Sequence, residues 1–207
     1  MRFRESAKEF KIVKSLVMMA MLLALRLALG FVTTIQISEN IKIGFTIFPT
    51  TIACMMFGPV PGLAMGGAAD ILGFIIKPTG AFFPGYTLDS MIAGMIYGWS
   101  FYKREKITII RVVLTLLAVT TIVNLTMTTT WISIQYGVKD FGLFFREPAA
   151  AWESFRLKFA AIFTGRLIKN ASMLPINSAG VFLLLTAVRK IPFLNREFGG
   201  MRVSAGK

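Results

Sequence analysis

The sequence predicts an all-α integral membrane protein, a single domain over residues 1–207 in which six helices cross or enter the bilayer. Hydrophobic residues make up 55% of the 207, and the mean hydropathy is +0.68, above what a soluble domain of this size carries. The apolar stretches are helix-length rather than the alternating runs of roughly ten residues that a membrane β-barrel shows. A further observation bears on function: Arg26, Asp70 and Asp89 each interrupt sequence apolar enough to lie in lipid. A charge at membrane depth costs about 2.5 kcal/mol or more, so it persists where it faces a pocket, a pathway or a partner. A structural pair, such as Arg26 with Asp70, is the other reading.

The first span, 12–35, follows a basic stretch with Arg2, Arg4, Lys8, Lys11 and Lys14. That N-terminus, residues 1–14, is expected in the cytosol, and no small-residue cleavage site follows a short apolar core, so no removable signal peptide is read. Spans 43–57 and 61–76 are shorter than the roughly 20 residues a crossing needs, which predicts that they are tilted among the others or partly embedded. The turn Gly58-Pro59-Val60-Pro61-Gly62 divides them. Spans 85–102, 107–134 and 166–188 complete the six. Lysine and arginine placement puts Lys103, Arg104 and Lys106, and the tail 189–207 with Arg189, Lys190, Arg196, Arg202 and Lys207, on the N-terminal side of the membrane. Loop 135–165 falls outside yet carries Lys139, Arg146, Arg156 and Lys158. Its second half, 149–164, reads as an amphipathic segment with Trp152, Phe155, Phe159 and Phe163 on one side, an interfacial or lid helix.

Several chemistries are excluded by composition. The chain has one cysteine and no histidine, which removes an intrachain disulfide, histidine-based zinc and haem sites, and nucleophile arrangements that need an imidazole base. Cys54 reads as a small hydrophobe. No metal, cofactor, enzymatic activity or nucleic-acid partner is expected. There is no phosphate-binding GxxxxGK[ST] loop, no room for an ATPase and no inverted repeat, so any energy the protein uses comes from elsewhere.

Helical spacing groups the candidate site residues. Gly66, Gly67 and Gly73 lie one turn to either side of Asp70, making a strip on which a flat ring could rest, or across which another helix could pack. Lys77 lies two turns further along the same face. On the fifth span Thr121, Asn124, Thr128 and Trp131 share a face, and Asn124 offers donors and an acceptor to the edge of a heterocycle, or to a neighbouring helix. Arg166 and Asn170 are i,i+4 neighbours at the outer boundary with Lys169 beside them, a corner for a carboxylate or for lipid headgroups.

The segment Lys77-Pro78-Thr79-Gly80-Ala81-Phe82-Phe83-Pro84-Gly85-Tyr86-Thr87-Leu88-Asp89, continuing through Ala93-Gly94-Met95-Ile96-Tyr97-Gly98, closely resembles the third-helix loop and helix start of the folate-specific S components of energy-coupling factor (ECF) vitamin transporters. Ala20, Ala24 and Ala28, four residues apart, resemble the small-residue stripe through which S components dock on their transmembrane partner. Asp89 departs from the family pattern, which has a small neutral polar residue there. The resemblance implies a bundle like that of S components and a bacterial membrane subunit that captures folate outside and presents it to the cytosol. Its partners would be a transmembrane T component and two cytosolic ATPases, with no cofactor. Folate combines a planar pterin, an aromatic linker and a doubly anionic glutamate tail. Phe82, Phe83, Tyr86 and Trp131 suit ring faces, Asp70 or Asn124 the pterin edge, and Arg26, Lys77, Arg166 and Lys169 the anionic parts, with Gly67, Thr128 and Asn170 as further substrate-binding candidates. An S component for riboflavin or thiamine, a lipid-modifying membrane enzyme, and an assembly subunit without a small ligand are the alternatives.

Overall fold

In lipid every backbone polar group must be satisfied within its own segment, so the apolar runs of this chain become helices. A computed structural model of the chain describes residues 2–32, 34–38, 41–78, 82–104, 107–137, 148–192 and 194. A short α1 (Arg2–Lys8) and a 3-10 turn (Glu9–Lys11) lead into α2 (Val13–Val32). A hairpin of β1 (Thr34–Ser38) and β2 (Ile41–Gly44) follows. Next come α3 (Ile47–Phe57), α4 (Pro59–Ile76) and α5 (Pro84–Phe101). Helix α6 (Ile109–Val119) continues through a π-helical segment (Thr120–Met127) into α7 (Thr128–Gly137), and the last element is α8 (Pro148–Arg189).

Among the described residues these elements form six helical legs: α2, α3, α4, α5, α6 with α7, and α8. Four are long and apolar enough to cross a membrane: Val13–Phe31, Pro59–Ile76, Ile109–Gln135 and Phe155–Arg189. The protein is therefore a multi-pass, all-helical membrane bundle to which one small hairpin is added. That hairpin lies where the first and second spans were expected to end and begin. Ile35 and Ile37 alternate with polar residues, as do Ile41 and Ile43, and a period of two suits a strand rather than a helix end. Its register pairs Ile35 with Ile43 and Gln36 with Lys42.

The segment 135–165 also differs from expectation. Residues 138–147 lie outside the described residues, as does the tail apart from 189–192 and 194, but from Pro148 the chain is one 42-residue helix rather than an amphipathic segment followed by a separate span. Nothing between 148 and 166 stops a helix, since an interior glycine such as Gly165 costs only about 1 kcal/mol. At about 1.5 Å per residue this helix is roughly twice as long as the ~30 Å hydrocarbon core. Its aromatic side holds, with Trp152, Phe155, Phe159 and Phe163 in successive ring contacts at 5.6, 5.8 and 5.8 Å.

The tightest seam joins α4 to α5. A Cβ on Gly62 would lie 2.6 Å from the Gly94 carbonyl oxygen, and one on Gly66 or Gly94 would collide with the Ser90 or Gly62 carbonyl, respectively. Gly98 meets Pro59 in the same way. Lipid tails are as apolar as leucine, so helices associate here through close backbone approach, which glycine permits. Cys54 closes the seam from α3: it is fully buried, with its thiol donating to the Gly94 carbonyl at 3.3 Å. Below lies an apolar core that includes Met55, Phe57, Phe101, Val112, Leu116, Val181 and Leu185.

At the same end of the bundle α1 is strapped beneath the α3–α4 turn. Gly58 adopts φ +92° there, a backbone region that glycine enters without strain. The Ser6 hydroxyl, fully buried, donates to the Phe57 carbonyl at 2.7 Å and accepts from the Val60 amide at 3.2 Å. It thus satisfies one of the amides that the start of α4 leaves without an intrahelical partner. Glu5 pairs with Lys103 at 2.8 Å on the exposed rim, and that ammonium holds the Glu5 carboxyl below its ordinary range.

The seam makes a stability prediction. Gly94→Ala should destabilise the protein by about 1–3 kcal/mol through forced separation of α4 and α5. Gly165→Ala, where an added methyl meets nothing within 4 Å, should hold or gain up to about 1 kcal/mol. Thermal unfolding of both variants in detergent checks this, and equal melting temperatures would show that the seam does not hold the bundle together.

Candidate functional site

Opposite the α1 end, the helices diverge around two adjoining cavities of about 430 and 340 Å³. The outer one is walled by α2, α4, the chain before α5, and the start of α5. Asp70, Lys77, Phe82, Phe83 and Gln135 are among its lining residues. The inner one reaches down between α3, α5 and the π segment to Thr50, Asp89, Ser90, Asn124 and Thr128. Arg26, Thr46, Asp70 and Tyr86 line both, so the two form one continuous space.

The three charges inside apolar sequence separate by what they bond. Asp89 is buried and satisfied on both oxygens: the Trp131 indole donates to Oδ1 at 3.0 Å and the Thr128 hydroxyl to Oδ2 at 2.6 Å. It ties α5 to α7. Asp70 accepts from the Thr87 hydroxyl on Oδ2 at 2.7 Å, and its Oδ1 receives no such bond from the described residues. Arg26 lies within electrostatic reach of Asp70, Cys54 and Tyr97, yet no ion pair joins it to Asp70. Its Nη1 is shielded from solvent with no hydrogen-bond partner among the described residues. The Arg26 side chain lines both cavities, and away from bulk water a guanidinium bond to an anion is worth more than in water.

An aromatic group roofs the outer cavity. Phe74 meets Phe82 at 5.2 Å, and Phe83 meets both Tyr86 and Trp131 at 5.7 Å. Gly85 is required beneath it, because a Cβ there would lie 2.5 Å from Phe83 and 2.7 Å from Trp131. The Tyr86 hydroxyl donates to Gln135 Oε1 at 2.8 Å, joining the start of α5 to the end of α7.

Of the residues singled out in the sequence, Arg26, Asp70, Lys77, Phe83, Tyr86, Asn124 and Thr128 reach a cavity wall. Trp131 lies one layer behind, holding Asp89 and Phe83. Gly67 lines neither cavity; it packs on Met91, 3.0 Å from where its Cβ would be, so two of the three glycines around Asp70 serve helix contact. Gly73 alone faces the cavity. Arg166 has an Nη1 shielded from solvent without a hydrogen-bond partner among the described residues and lies within reach of Tyr86 and Asp89, but neither it nor Asn170 lines a cavity. Ala20, Ala24 and Ala28 are exposed on the outer face of α2.

Thr121 is exposed and not on the Asn124 face. The cause is the π segment, where the Thr126 and Thr129 hydroxyls donate to carbonyls five residues back, on Thr121 and Asn124. The wider turn rotates the face that a spacing of 3.6 predicts. Sequence reasoning missed Thr46, Thr50, Ser90 and Gln135. The pair Thr46 and Thr50, an i,i+4 polar couple opening an apolar helix, was the available signal.

The arrangement suits a long, partly flat ligand with at least one anionic end: cations at Arg26 and Lys77, acceptors at Asp70, an amide at Asn124, and aromatic rings above. Comparison with known proteins agrees. Residues 14–185 match the family model described as ECF transporter, substrate-specific component. The Folate transporter FolT of Clostridium novyi (strain NT) is 32% identical over 186 residues, which cover 90% of this chain and 96% of that one. The Folate transporter FolT of Leuconostoc mesenteroides is 28% identical over 173 residues, 83% and 84% of the two chains. A crystal structure of FolT bound with folic acid superposes with a TM-score of 0.65 at 30% identity, covering 87% of this chain and 94% of the other. With the helical bundle, its cation-bearing cavity and a match across most of its length, the chain belongs to the substrate-specific components of ECF transporters, a family of transport subunits and not of enzymes.

Proposed function

We propose that this protein captures folate from outside the cell and delivers it to the cytosol as the substrate-binding subunit of an ECF importer. The observation that carries the reading is the Arg26 guanidinium, shielded in an apolar bundle without a hydrogen-bond partner on Nη1 and sharing a cavity wall with Asp70 and the Phe83–Tyr86 pair. Folate presents complementary chemistry: carboxylates for Arg26 and Lys77, ring faces for the aromatic roof, and the amino edge of its pterin for Asp70 or Asn124. The relatives named for folate support the same substrate.

In this reading both termini face the cytosol, because the basic α1 end and the Lys103–Arg104 turn share one side. The cavities then open to the outside. Ala20, Ala24 and Ala28, exposed on α2, supply the close-approach surface for a transmembrane T component, which brings the two cytosolic ATPases that this chain lacks.

Three outcomes check this reading. Calorimetry on the purified protein should show saturable folate binding without ATP; heat from riboflavin or thiamine, with none from any folate, would overturn it. Asp70→Asn should weaken folate binding by roughly ten- to a hundredfold, because a hydrogen bond to a charged group contributes about 1.5–3 kcal/mol. Since no ion pair joins Asp70 to Arg26, the melting temperature of that variant should stay near wild type. Unchanged affinity in the folded variant would remove Asp70 from the pterin edge and leave Asn124 for it. Ala24→Leu should reduce folate uptake by cells while the isolated subunit keeps its affinity, and an equal loss of both would place the stripe inside the subunit.

A further inference from the structure

Away from both cavities, at the α1 end, α5 and α6 leave an open groove of about 640 Å³ between them. Its two halves differ in chemistry. Arg104, Thr108 and Arg111 stand at its rim, and none of the described residues that line it is acidic. Towards the middle of the bundle the walls are Ile96, Leu114 and Ala118. Ser100 and Thr115 hydrogen-bond to each other across the helices, and Thr115 donates onward to the Arg111 carbonyl, so these hydroxyls are internally satisfied. Trp99 stands exposed at the mouth, edge-on to Phe3 of α1 at 5.3 Å. Tryptophan at this level marks the interface between headgroups and hydrocarbon. The same end carries the basic residues of α1, and Ile110 and Leu114 are more than half exposed beside it, facing where lipid would be.

We propose that this groove binds an anionic phospholipid, its phosphate at Arg104 and Arg111 and an acyl chain along Ile96, Leu114 and Ala118. A soluble phosphate would use the cations and leave the apolar half without purpose. A lipid uses both, and basic pockets between membrane helices are where anionic headgroups collect. The site stands apart from the folate reading, since none of its residues lines either cavity.

The test takes the full chain in detergent, equilibrates it with equal amounts of phosphatidylglycerol and phosphatidylcholine, and counts retained lipid by native mass spectrometry. The wild type should hold one phosphatidylglycerol in preference to phosphatidylcholine, by about fivefold for each arginine. Arg104→Gln with Arg111→Gln should abolish that preference. Leu114→Trp, which fills the apolar half and keeps both charges, should lower retention of either lipid, and it decides the matter if the double variant fails to fold. Equal retention of the two lipids by the wild type overturns the proposal, as does full retention by Leu114→Trp. Displacement of phosphatidylglycerol by inorganic phosphate would assign the arginines to a soluble anion and overturn it equally.

Discussion

Close backbone contact between α4 and α5 is the constraint on which the site depends. In a bilayer, burying apolar side chains against one another gains little over burying them in lipid, so two helices need a reason to meet. Gly62, Gly66, Gly94 and Gly98 supply it by leaving no side chain of their own to hold the two backbones apart. The distance thus fixed is what lets Thr87 of α5 reach Asp70 of α4 at 2.7 Å. It also sets the lower limit of the cavity, because Cys54 and Tyr97 close the space beneath it.

The charged residues within the bundle divide into structural and available groups according to their partners. Asp89 receives two donors and becomes a joint between α5 and α7, which explains how a carboxylate can occupy a position where a small neutral residue is expected. Asp70 receives one, and the Arg26 Nη1 finds no acceptor among the described residues. A buried charge short of partners is costly, and a bound ligand of opposite charge removes that cost. Binding and stability are therefore coupled in this protein through the same side chains.

The irregular segments border the site. The π segment turns Asn124 and Thr128 towards the inner cavity, and the hairpin leads into Thr46 at the wall shared by both cavities. The aromatic roof rests on Gly85, where the chain enters α5. Regular helices make the frame, while the departures from regularity aim the polar groups.

The sequence by itself determined the membrane class, the helical legs, the division of α3 from α4 at Gly58 and Pro59, and the resemblance carried by residues 77–98. Each of these follows from composition, from local backbone chemistry, or from a contiguous motif. Arg26, Asp70 and Asp89 were legible as charges out of place, and Asn124 as an amide on an apolar helix. What the tertiary structure alone decided is which of them meet. Whether Asp89 is open or satisfied depends on Thr128 and Trp131, some forty residues away. Whether Gly67 touches a ligand or Met91 depends on how α5 crosses α4. The π segment, too, is written in no periodicity, because a short widened stretch leaves the apolar pattern intact while rotating Thr121 away from Asn124. Pairing across the bundle is set by helix packing, and packing is a property of surfaces that a one-dimensional pattern does not contain.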